Sequence, residues 1–129
     1  MADFYSPGEA VERSGFSLDT LRYYERIGLL DQVNRDRSGH RRFDEDDLEW
    51  LAVLRCLRDT GMPIAQMRRY TDLVRAGAET IPERVALLAE HDERVERQLA
   101  LLRERQAHIR RKLAGYQDQL DTTAKTEGR

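Results

Sequence analysis

A short segment of the chain, residues 17–43, concentrates the side chains that could do chemistry. It contains six arginines against four acidic residues, although the whole 129-residue chain carries a net charge of −2. The arginines are Arg22, Arg26, Arg35, Arg37, Arg41 and Arg42. Guanidinium groups form forked hydrogen bonds with phosphate oxygens and with guanine edges. Because positive charge gathered on one short segment is typical of nucleic-acid-binding surfaces, we expect this segment to bind duplex DNA.

One other side chain, Cys56, could react, and it is the single cysteine of the chain. A lone thiol excludes an intramolecular disulfide and a zinc site built from several cysteines of one subunit. Two interpretations stay open. In the first, Cys56 is a reactive thiol, whose ionised form would be stabilised if Arg55 and Arg58 approach the sulfur. In the second, Cys56 is a small apolar residue of the core. The three histidines, at positions 40, 91 and 108, are far apart in the sequence and have no cysteine near them at metal-ligand spacing, so we expect neither a metal site nor a cofactor.

Absent motifs and the lack of a long apolar run exclude several classes of protein. No Ser/His/Asp triad, phosphate-binding loop or pair of catalytic carboxylates is visible, and Glu25 is spaced to pair with Arg22 along a helix, so we expect no enzyme. No apolar run approaches the roughly 20 residues of a membrane span, and no signal peptide is recognisable, so we expect a cytoplasmic protein without membrane contact. The 129 residues allow one small domain and an extension.

Two short helices are predicted to position the arginine-rich segment. The first begins at a capping sequence in residues 6–9 and ends at Gly15, which suits a left-handed helix end. The second begins at its cap, Ser17, and ends at Gly28. Two short helices joined by a tight glycine turn form a helix-turn-helix, whose second helix enters the major groove of DNA.

The next elements complete a compact head. Residues 33–43 are predicted to form a two-stranded wing around a turn at residues 36–39. A third helix begins at its cap, Asp44, and a fourth helix covers residues 64–75 after a break at residues 59–63. The head is therefore expected to be mainly helical, with the wing beside the second helix.

The last part of the chain has a different period. Between residues 85 and 120, seam positions recur at alternating steps of three and four, and nine of the eleven are apolar. The seam is formed by Val85, Leu88, Asp92, Val95, Leu99, Leu102, Gln106, Ile109, Leu113, Tyr116 and Leu120. A helical rod of about 60 Å cannot bury this seam against a small head alone, so we expect a partner helix from another chain.

Four blocks of sequence resemble the MerR (mercury-resistance regulator) family of transcriptional regulators. The blocks are residues 21–30, residues 39–43, residues 46–48 and residues 57–62, and they share the family's order and spacing over roughly residues 4–76. The resemblance implies a mainly α fold with a winged helix-turn-helix DNA-binding head, followed by a long dimerisation helix that forms an antiparallel coiled coil.

The resemblance also implies domains and partners. Residues 1–77 would be the DNA-binding domain, residues 78–120 the dimerisation helix and residues 121–129 a flexible tail. A homodimer formed through residues 81–120 would bind a palindromic site in duplex promoter DNA. Such regulators bend and untwist a promoter whose spacer is too long for RNA polymerase, so deformation of the DNA contributes to specificity.

Single residues acquire roles from the same resemblance. The residues that would contact DNA are Ser17, Thr20, Arg22, Tyr23 and Tyr24 of the second helix, Arg41 and Arg42 of the wing, and Tyr5 near the N-terminus. Thr20 and Arg22 would face base edges and phosphates, whereas tyrosine hydroxyls donate to phosphate without reading sequence. One of the two adjacent tyrosines is equally compatible with a place partly in the core.

The surroundings of Cys56 resemble the small single-cysteine members of the family, which respond to aldehydes and other electrophiles. We therefore expect modification of Cys56 to switch a promoter-bound dimer from repression to activation. Metal-sensing members carry a cysteine where this chain has residues 78–80, so metal sensing is not implied. Two alternatives stay open: a regulator with a different or no thiol signal, in which Cys56 is structural, and a coiled-coil scaffold protein. Steep salt dependence would identify a DNA-binding protein.

Overall fold

The computed structural model describes residues 4–31 and 34–127, and this part of the chain is mainly helical. The elements in order are α1 (Pro7–Ser14), α2 (Leu18–Arg26), β1 (Asn34–Arg35), β2 (Arg41–Arg42), α3 (Glu45–Asp59), α4 (Ile64–Ala76), a 3-10 turn (Ala78–Thr80) and α5 (Ile81–Glu127). Two compact units divide the chain: the head unit, Met1–Leu88, and the helical unit, Ala89–Arg129. Within the described residues, every helix is too short or too polar to cross a membrane.

Side-chain caps set the ends of α1 and α2. The Ser6 hydroxyl accepts the Glu9 N–H at 3.2 Å, and the Glu9 carboxylate accepts the Ser6 N–H at 3.1 Å. Gly15, with φ of 76°, ends α1 in the left-handed region. Ser17 caps α2 by accepting the Thr20 N–H at 3.1 Å. These contacts confirm the predicted helix starts, because each cap satisfies an N–H that lacks a partner within its own helix.

The wing is an antiparallel pair of two short strands. Its partners are Asn34 with Arg42 and Arg35 with Arg41. One oxygen of the Asp36 carboxylate accepts the N–H groups of Ser38 and His40, each at 2.9 Å, which closes the turn. The predicted wing began at residue 33, but residues 32–33 lie outside the described part of the chain. The two strands, at residues 34–35 and 41–42, agree with the predicted wing.

The wing turn is expected to lose stability in acid. Hydrogen bonds from the backbone of His40, and also of Ser38, lower the pKa of Asp36. A lowered pKa in the folded state means that the carboxylate stabilises the turn at neutral pH, and that this contribution is lost as the pH falls through that lowered value. The NMR shifts of the two amide protons should therefore titrate below the ordinary pKa of aspartate. A transition at or above that value, or one that persists in Asp36→Asn, would contradict this account.

An apolar core joins the helices of the head unit. One face of α3 supplies four buried leucines, and α2 with its flanking residues supplies aromatic and aliphatic partners. The core residues are Ala10, Phe16, Leu21, Tyr24, Leu29, Leu30, Phe43, Leu48, Leu51, Leu54, Leu57, Met62 and Met67. The Trp50 ring stacks on the Tyr70 ring with centroids 5.8 Å apart, and its Nε1 donates to the Leu29 carbonyl at 2.8 Å. The core therefore joins α2 and the residues that follow it to α3 and α4.

In the helical unit, α5 continues as a single helix that leaves large apolar side chains in water. These side chains are 39–69 % exposed: Leu99, Leu101, Leu102, Ile109, Leu113, Tyr116 and Leu120. All but Leu101 belong to the predicted seam. The helix reaches Glu127 instead of giving way to a flexible tail at residue 121, because no Gly or Pro interrupts the sequence between Gly115 and that point. The long C-terminal helix predicted from the period is confirmed.

Candidate nucleic-acid interface

A cleft between α2 and the wing gathers arginines from both elements. Arg22 from α2 lines it together with Arg35 and Arg41 from the two strands of the wing. The cleft has a volume of about 280 Å³, and its wall also includes Gly39 and His40 at the tip of the wing. The structure therefore brings together three of the six arginines that the sequence singled out. Such a cluster of cations on a helix and an adjoining hairpin has the charge that favours contact with the phosphates of a DNA backbone.

Glu25 attaches the wing to α2. Its carboxylate lies 3.0 Å from Arg41 Nε and 3.7 Å from Arg35 Nη2, while Arg35 Nη1 donates to the Gly39 carbonyl at 3.0 Å. The side chains of Glu25 and Arg41 are only 16 % and 19 % exposed, so solvent screens this ion pair less than a surface pair. The expected pairing of Glu25 with Arg22 along α2 is wrong, because the carboxylate turns toward the wing. Arg22 remains exposed.

The first turn of α2 holds two of the predicted contact residues together. The hydroxyl oxygens of Ser17 and Thr20 lie 2.9 Å apart, and Ser17 is also the helix cap. Ser17 is exposed and Thr20 is half-buried. Both therefore have a structural contact within the chain, and both remain near the free N–H groups at the start of α2, which favour a phosphate oxygen.

The two adjacent tyrosines have different surroundings. Tyr23 is 39 % exposed, and the Arg26 guanidinium lies 5.5 Å from its ring centroid. Tyr24 is 4 % exposed and meets the Phe16 ring edge to face at 5.2 Å. Burial raises the pKa of Tyr24. The structure therefore puts Tyr24 in the core, as one interpretation of the pair expected, and leaves Tyr23 accessible at the surface.

Tyr5 and Arg42 are held by contacts near the N-terminus. The Tyr5 hydroxyl donates to the Glu45 carboxylate at 2.8 Å, and its backbone forms a bridge with Phe43 beside the wing. The Arg42 guanidinium lies 3.8 Å from the centroid of the Phe4 ring. Among the described residues, its buried Nε has no hydrogen-bond partner. These contacts hold β2 and the adjoining Phe43 against the segment before α1.

Two interface residues were absent from the predicted contact set. Arg35 lines the cleft, and Glu25 holds the wing in place. The hairpin register supplies a signal for Arg35, since a turn at residues 36–39 pairs position 35 with Arg41. Nothing comparable identifies Glu25, because its partners lie far along the chain.

Cys56 lies on the solvent side of α3, opposite the buried leucines. The thiol-bearing residue is exposed in this chain, so it is not a small apolar residue of the core. The flanking guanidinium groups are engaged elsewhere: Arg55 and Arg58 lie 5.5 and 5.4 Å from the Phe16 ring, and Arg55 Nε donates to Asp59 at 2.7 Å. In residues 4–31 and 34–127, no three His, Cys, Asp or Glu side chains are grouped as metal ligands would be.

Comparison with known proteins identifies the family. A family model described as "MerR HTH family regulatory protein" matches residues 5–73, and a second, described as "MerR, DNA binding", matches residues 48–122. The chain belongs to the MerR family. This confirms the resemblance inferred from the sequence, and with it a DNA-binding transcriptional regulator with a helix-turn-helix head and a long C-terminal helix.

Individual MerR relatives agree with this identification. An HTH-type transcriptional regulator of Haemophilus influenzae is 40 % identical over 113 residues, which cover 88 % of this chain and 84 % of the relative. The regulator AdhR of Bacillus subtilis is 37 % identical over 87 residues, which cover 67 % of this chain and 62 % of the relative. Both relatives are described as HTH-type transcriptional regulators.

A solved structure extends the similarity to the fold. The crystal structure of HiNmlR, described as a MerR family regulator lacking the sensor domain and bound to promoter DNA, has a TM-score of 0.83 with 39 % sequence identity. The similarity covers 89 % of this chain and 87 % of that chain. A MerR family regulator from Listeria monocytogenes gives a TM-score of 0.80 with 35 % identity and covers 87 % of this chain and 85 % of that chain.

Proposed function

We propose that this regulator acts as a homodimer that binds a palindromic promoter site and distorts it for RNA polymerase. Each head would place α2 in the major groove and the wing on the flanking backbone. The observation that carries the proposal is the arginine cleft, in which Arg22, Arg35 and Arg41 converge between the two elements. The likeness to a relative bound to promoter DNA supports it. Because the curated relatives are bacterial, the proposed place of action is the cytoplasm, where bacterial promoters lie.

The proposed contacts divide into base reading and backbone anchoring. Arg22 is exposed on α2 and is the proposed base-reading residue, with Thr20 beside it. Tyr23 would donate its hydroxyl to a phosphate, and Arg41 with Arg42 would hold phosphates beside the wing. The remaining proposed contacts are Ser17 and Tyr5, through the start of α2 and the N-terminal segment. Tyr24, which the resemblance also assigned to the DNA surface, is 4 % exposed, and we propose that it supports α2 from the core instead.

The dimer would form through residues 81–120 in an antiparallel coiled coil. The exposed seam of α5 argues for a partner, since a water-exposed apolar stripe of this length is unfavourable in an isolated chain. A second copy of α5 offers the same stripe, and two-fold symmetry matches a palindromic site. We propose residues 1–77 as the DNA-binding domain and residues 78–120 as the dimerisation helix, with residues 121–129 as a polar tail.

We further propose that an electrophile switches the dimer through Cys56. The thiol is exposed, which a bimolecular reaction with a small aldehyde requires. In that reaction the sulfur adds to the carbonyl carbon, the C=O double bond becomes a single bond, and the thiol proton passes to the new hydroxyl. The product is a reversible hemithioacetal that needs no oxidant. The second candidate is a regulator with a different signal or no thiol signal, in which the exposed Cys56 takes no part.

Selection of binding sites tests the DNA-binding proposal. DNA duplexes of random sequence would be mixed with the protein, and the duplexes that it binds would be recovered and enriched. We call the enriched sequence the operator. The expected operator has two related half-sites, and its affinity should fall steeply with salt, with a logarithmic slope of about 0.9 for each phosphate contact. Sedimentation should give a dimer. Failure to enrich any sequence, with weak binding that is independent of salt, would favour a scaffold protein.

Glu25→Gln is expected to separate specific from general DNA binding. Removing a carboxylate beside the cleft should strengthen binding to an unrelated duplex, because the surface becomes more positive. Operator affinity should nevertheless fall roughly fivefold, since a charge-assisted contact worth about 1 kcal/mol no longer positions Arg41 and Arg35. Competition between the operator and the unrelated duplex measures the ratio of the two affinities. Glu12→Gln removes an equal charge from α1 and should leave the ratio unchanged; an unchanged ratio in Glu25→Gln would exclude a positioning role.

A further inference from the structure

The connection between α4 and α5 is organised around one side chain, Arg84. Gly77 follows α4 with a φ of 103°, in the left-handed region that favours glycine. A 3-10 turn then covers Ala78–Thr80, and α5 begins at Ile81. All of these residues belong to the head unit, so the joint can be described within one compact body.

Arg84 binds the groups that end α4. Its Nε donates to the Thr80 hydroxyl at 3.0 Å. Its Nη2 lies 3.4 Å from the carbonyl oxygens of both Leu73 and Val74, and it also donates to the carbonyl oxygen of Gly77. The last carbonyls of a helix have no partner within the helix, and they carry the negative end of its dipole. One guanidinium therefore satisfies several acceptors where a cation is most favoured.

Thr80 completes this joint. Its hydroxyl lies within hydrogen-bond distance of the carbonyl oxygens of Leu73 and Gly77, while it accepts from Arg84. Thr80 directly precedes Ile81, where a threonine could cap α5, but its hydroxyl instead faces back to α4. The 3-10 turn itself contributes no buried residue. Polar contacts, and not apolar packing of the turn, therefore fix the start of α5.

A second contact makes the orientation of this start sensitive to Arg84. Leu87, one turn later on α5, packs against the apolar core of the head. Two contact points define the direction of the first turns of a helix. Loss of the four contacts made by Arg84 would leave the start of α5 held by Leu87 and the Thr80 hydroxyl, and its direction would be less well defined.

We propose that Arg84, supported by Thr80, sets the spacing between the two half-sites that the dimer accepts. The inference rests on the proposed function, because only a dimer with both heads on one duplex has a half-site spacing. α5 is continuous, and about 27 Å of helix separates Arg84 from the middle of the seam. A tilt of about 10° at the joint displaces that point by about 5 Å, more than the rise of about 3.4 Å between base pairs. Arg84 is a positioning residue and does not touch DNA.

The test measures affinity for operators of different half-site spacing. The probes are the operator, variants with the spacer one or two base pairs shorter or longer, and a duplex with a single half-site. We expect the wild type to bind the selected operator about tenfold more tightly than an operator whose spacer differs by one base pair. Arg84→Ala should reduce this preference to about threefold or less, while binding to the single half-site stays within about twofold.

Matched variants separate this role from a structural one. Arg84→Lys keeps the positive charge but lacks the forked guanidinium group, so it should give a spacing preference between those of the wild type and Arg84→Ala. Thr80→Val removes the hydroxyl at similar volume and should act in the same direction, so these two variants carry the test if Arg84→Ala does not fold. Arg97→Ala removes an exposed charge farther along α5 and should keep the wild-type profile.

Three results would overturn the inference. The first is an unchanged spacing preference in folded Arg84→Ala, or in the two supporting variants. The second is an equal loss of affinity at every spacing and at the single half-site, which would mark Arg84 as merely stabilising. The third is a wild type that binds no operator, which would overturn the proposed function as well and is recognised before any variant is made.

Discussion

Arg22→Ala is expected to weaken operator binding by about 10- to 100-fold. The side chain is exposed on α2 at the arginine cleft, and Glu25, which was expected to hold it, turns to the wing instead. A guanidinium forked on a guanine edge contributes about 1–3 kcal/mol of discrimination, and about 1.4 kcal/mol is a factor of ten in affinity. Because the exposed Arg22 supports little of the fold, the thermal unfolding of the variant should match that of the wild type.

The kind of loss identifies the contact that Arg22 makes. A base contact predicts that Arg22→Ala relaxes specificity at one operator position and leaves the salt slope nearly unchanged. A phosphate contact predicts equal weakening on all duplexes and a slope smaller by about 0.9. Fluorescence anisotropy at several salt concentrations distinguishes the two. Arg103→Ala, an exposed arginine of α5, is the matched control, and affinity equal to the wild type in Arg22→Ala would remove Arg22 from the interface.

Cys56→Ser is expected to abolish the response to an aldehyde without affecting DNA binding. In transcription in vitro from the operator-bearing promoter, methylglyoxal should raise the wild-type output by about tenfold, within the range of coupling energies usual for allosteric regulators. Serine keeps the size of the side chain but does not ionise at neutral pH, so it cannot form the adduct at a comparable rate. The exposed position on α3 makes the substitution compatible with the fold.

The control variants show whether Cys56 is the sensor or takes no part in the signal. Cys56→Ala should behave as Cys56→Ser does, and mass spectrometry should detect a reversible adduct at Cys56 of the wild type that neither variant carries at that position. Operator affinity of both variants should stay within about twofold of the wild type. An equal aldehyde response in wild type and Cys56→Ser would assign the signal elsewhere and leave a promoter-binding regulator whose input is different.

Local signals made the helix starts predictable from the sequence. Ser6, Ser17 and Asp44 each interact with a backbone N–H three residues ahead, so the complete contact is encoded within four positions. The turn composition at residues 36–39 likewise encodes the wing, and the alternating steps of three and four encode α5. Such features depend on residues that are neighbours in the sequence, and they need no knowledge of the tertiary structure.

Contacts between distant segments explain what the sequence did not reveal. Glu25 has Arg22 within reach on its own helix, yet it pairs with Arg41 because folding brings the wing against α2 and partly shields that pair from water. The sequence also could not decide which of the adjacent tyrosines is buried, because that depends on where Phe16 lies in the core. Arg84 had no local signature, since its acceptors belong to the end of another helix.

Footprinting of the protein on the operator tests whether a symmetric dimer reads DNA through α2 and the wing. We expect two protected half-sites related by a two-fold axis, with distorted, hypersensitive DNA between them. We also expect that Arg22→Ala, at the same concentration, protects neither half-site. A single protected half-site, or an unchanged footprint in Arg22→Ala, would contradict a symmetric dimer that reads DNA through α2 and the wing.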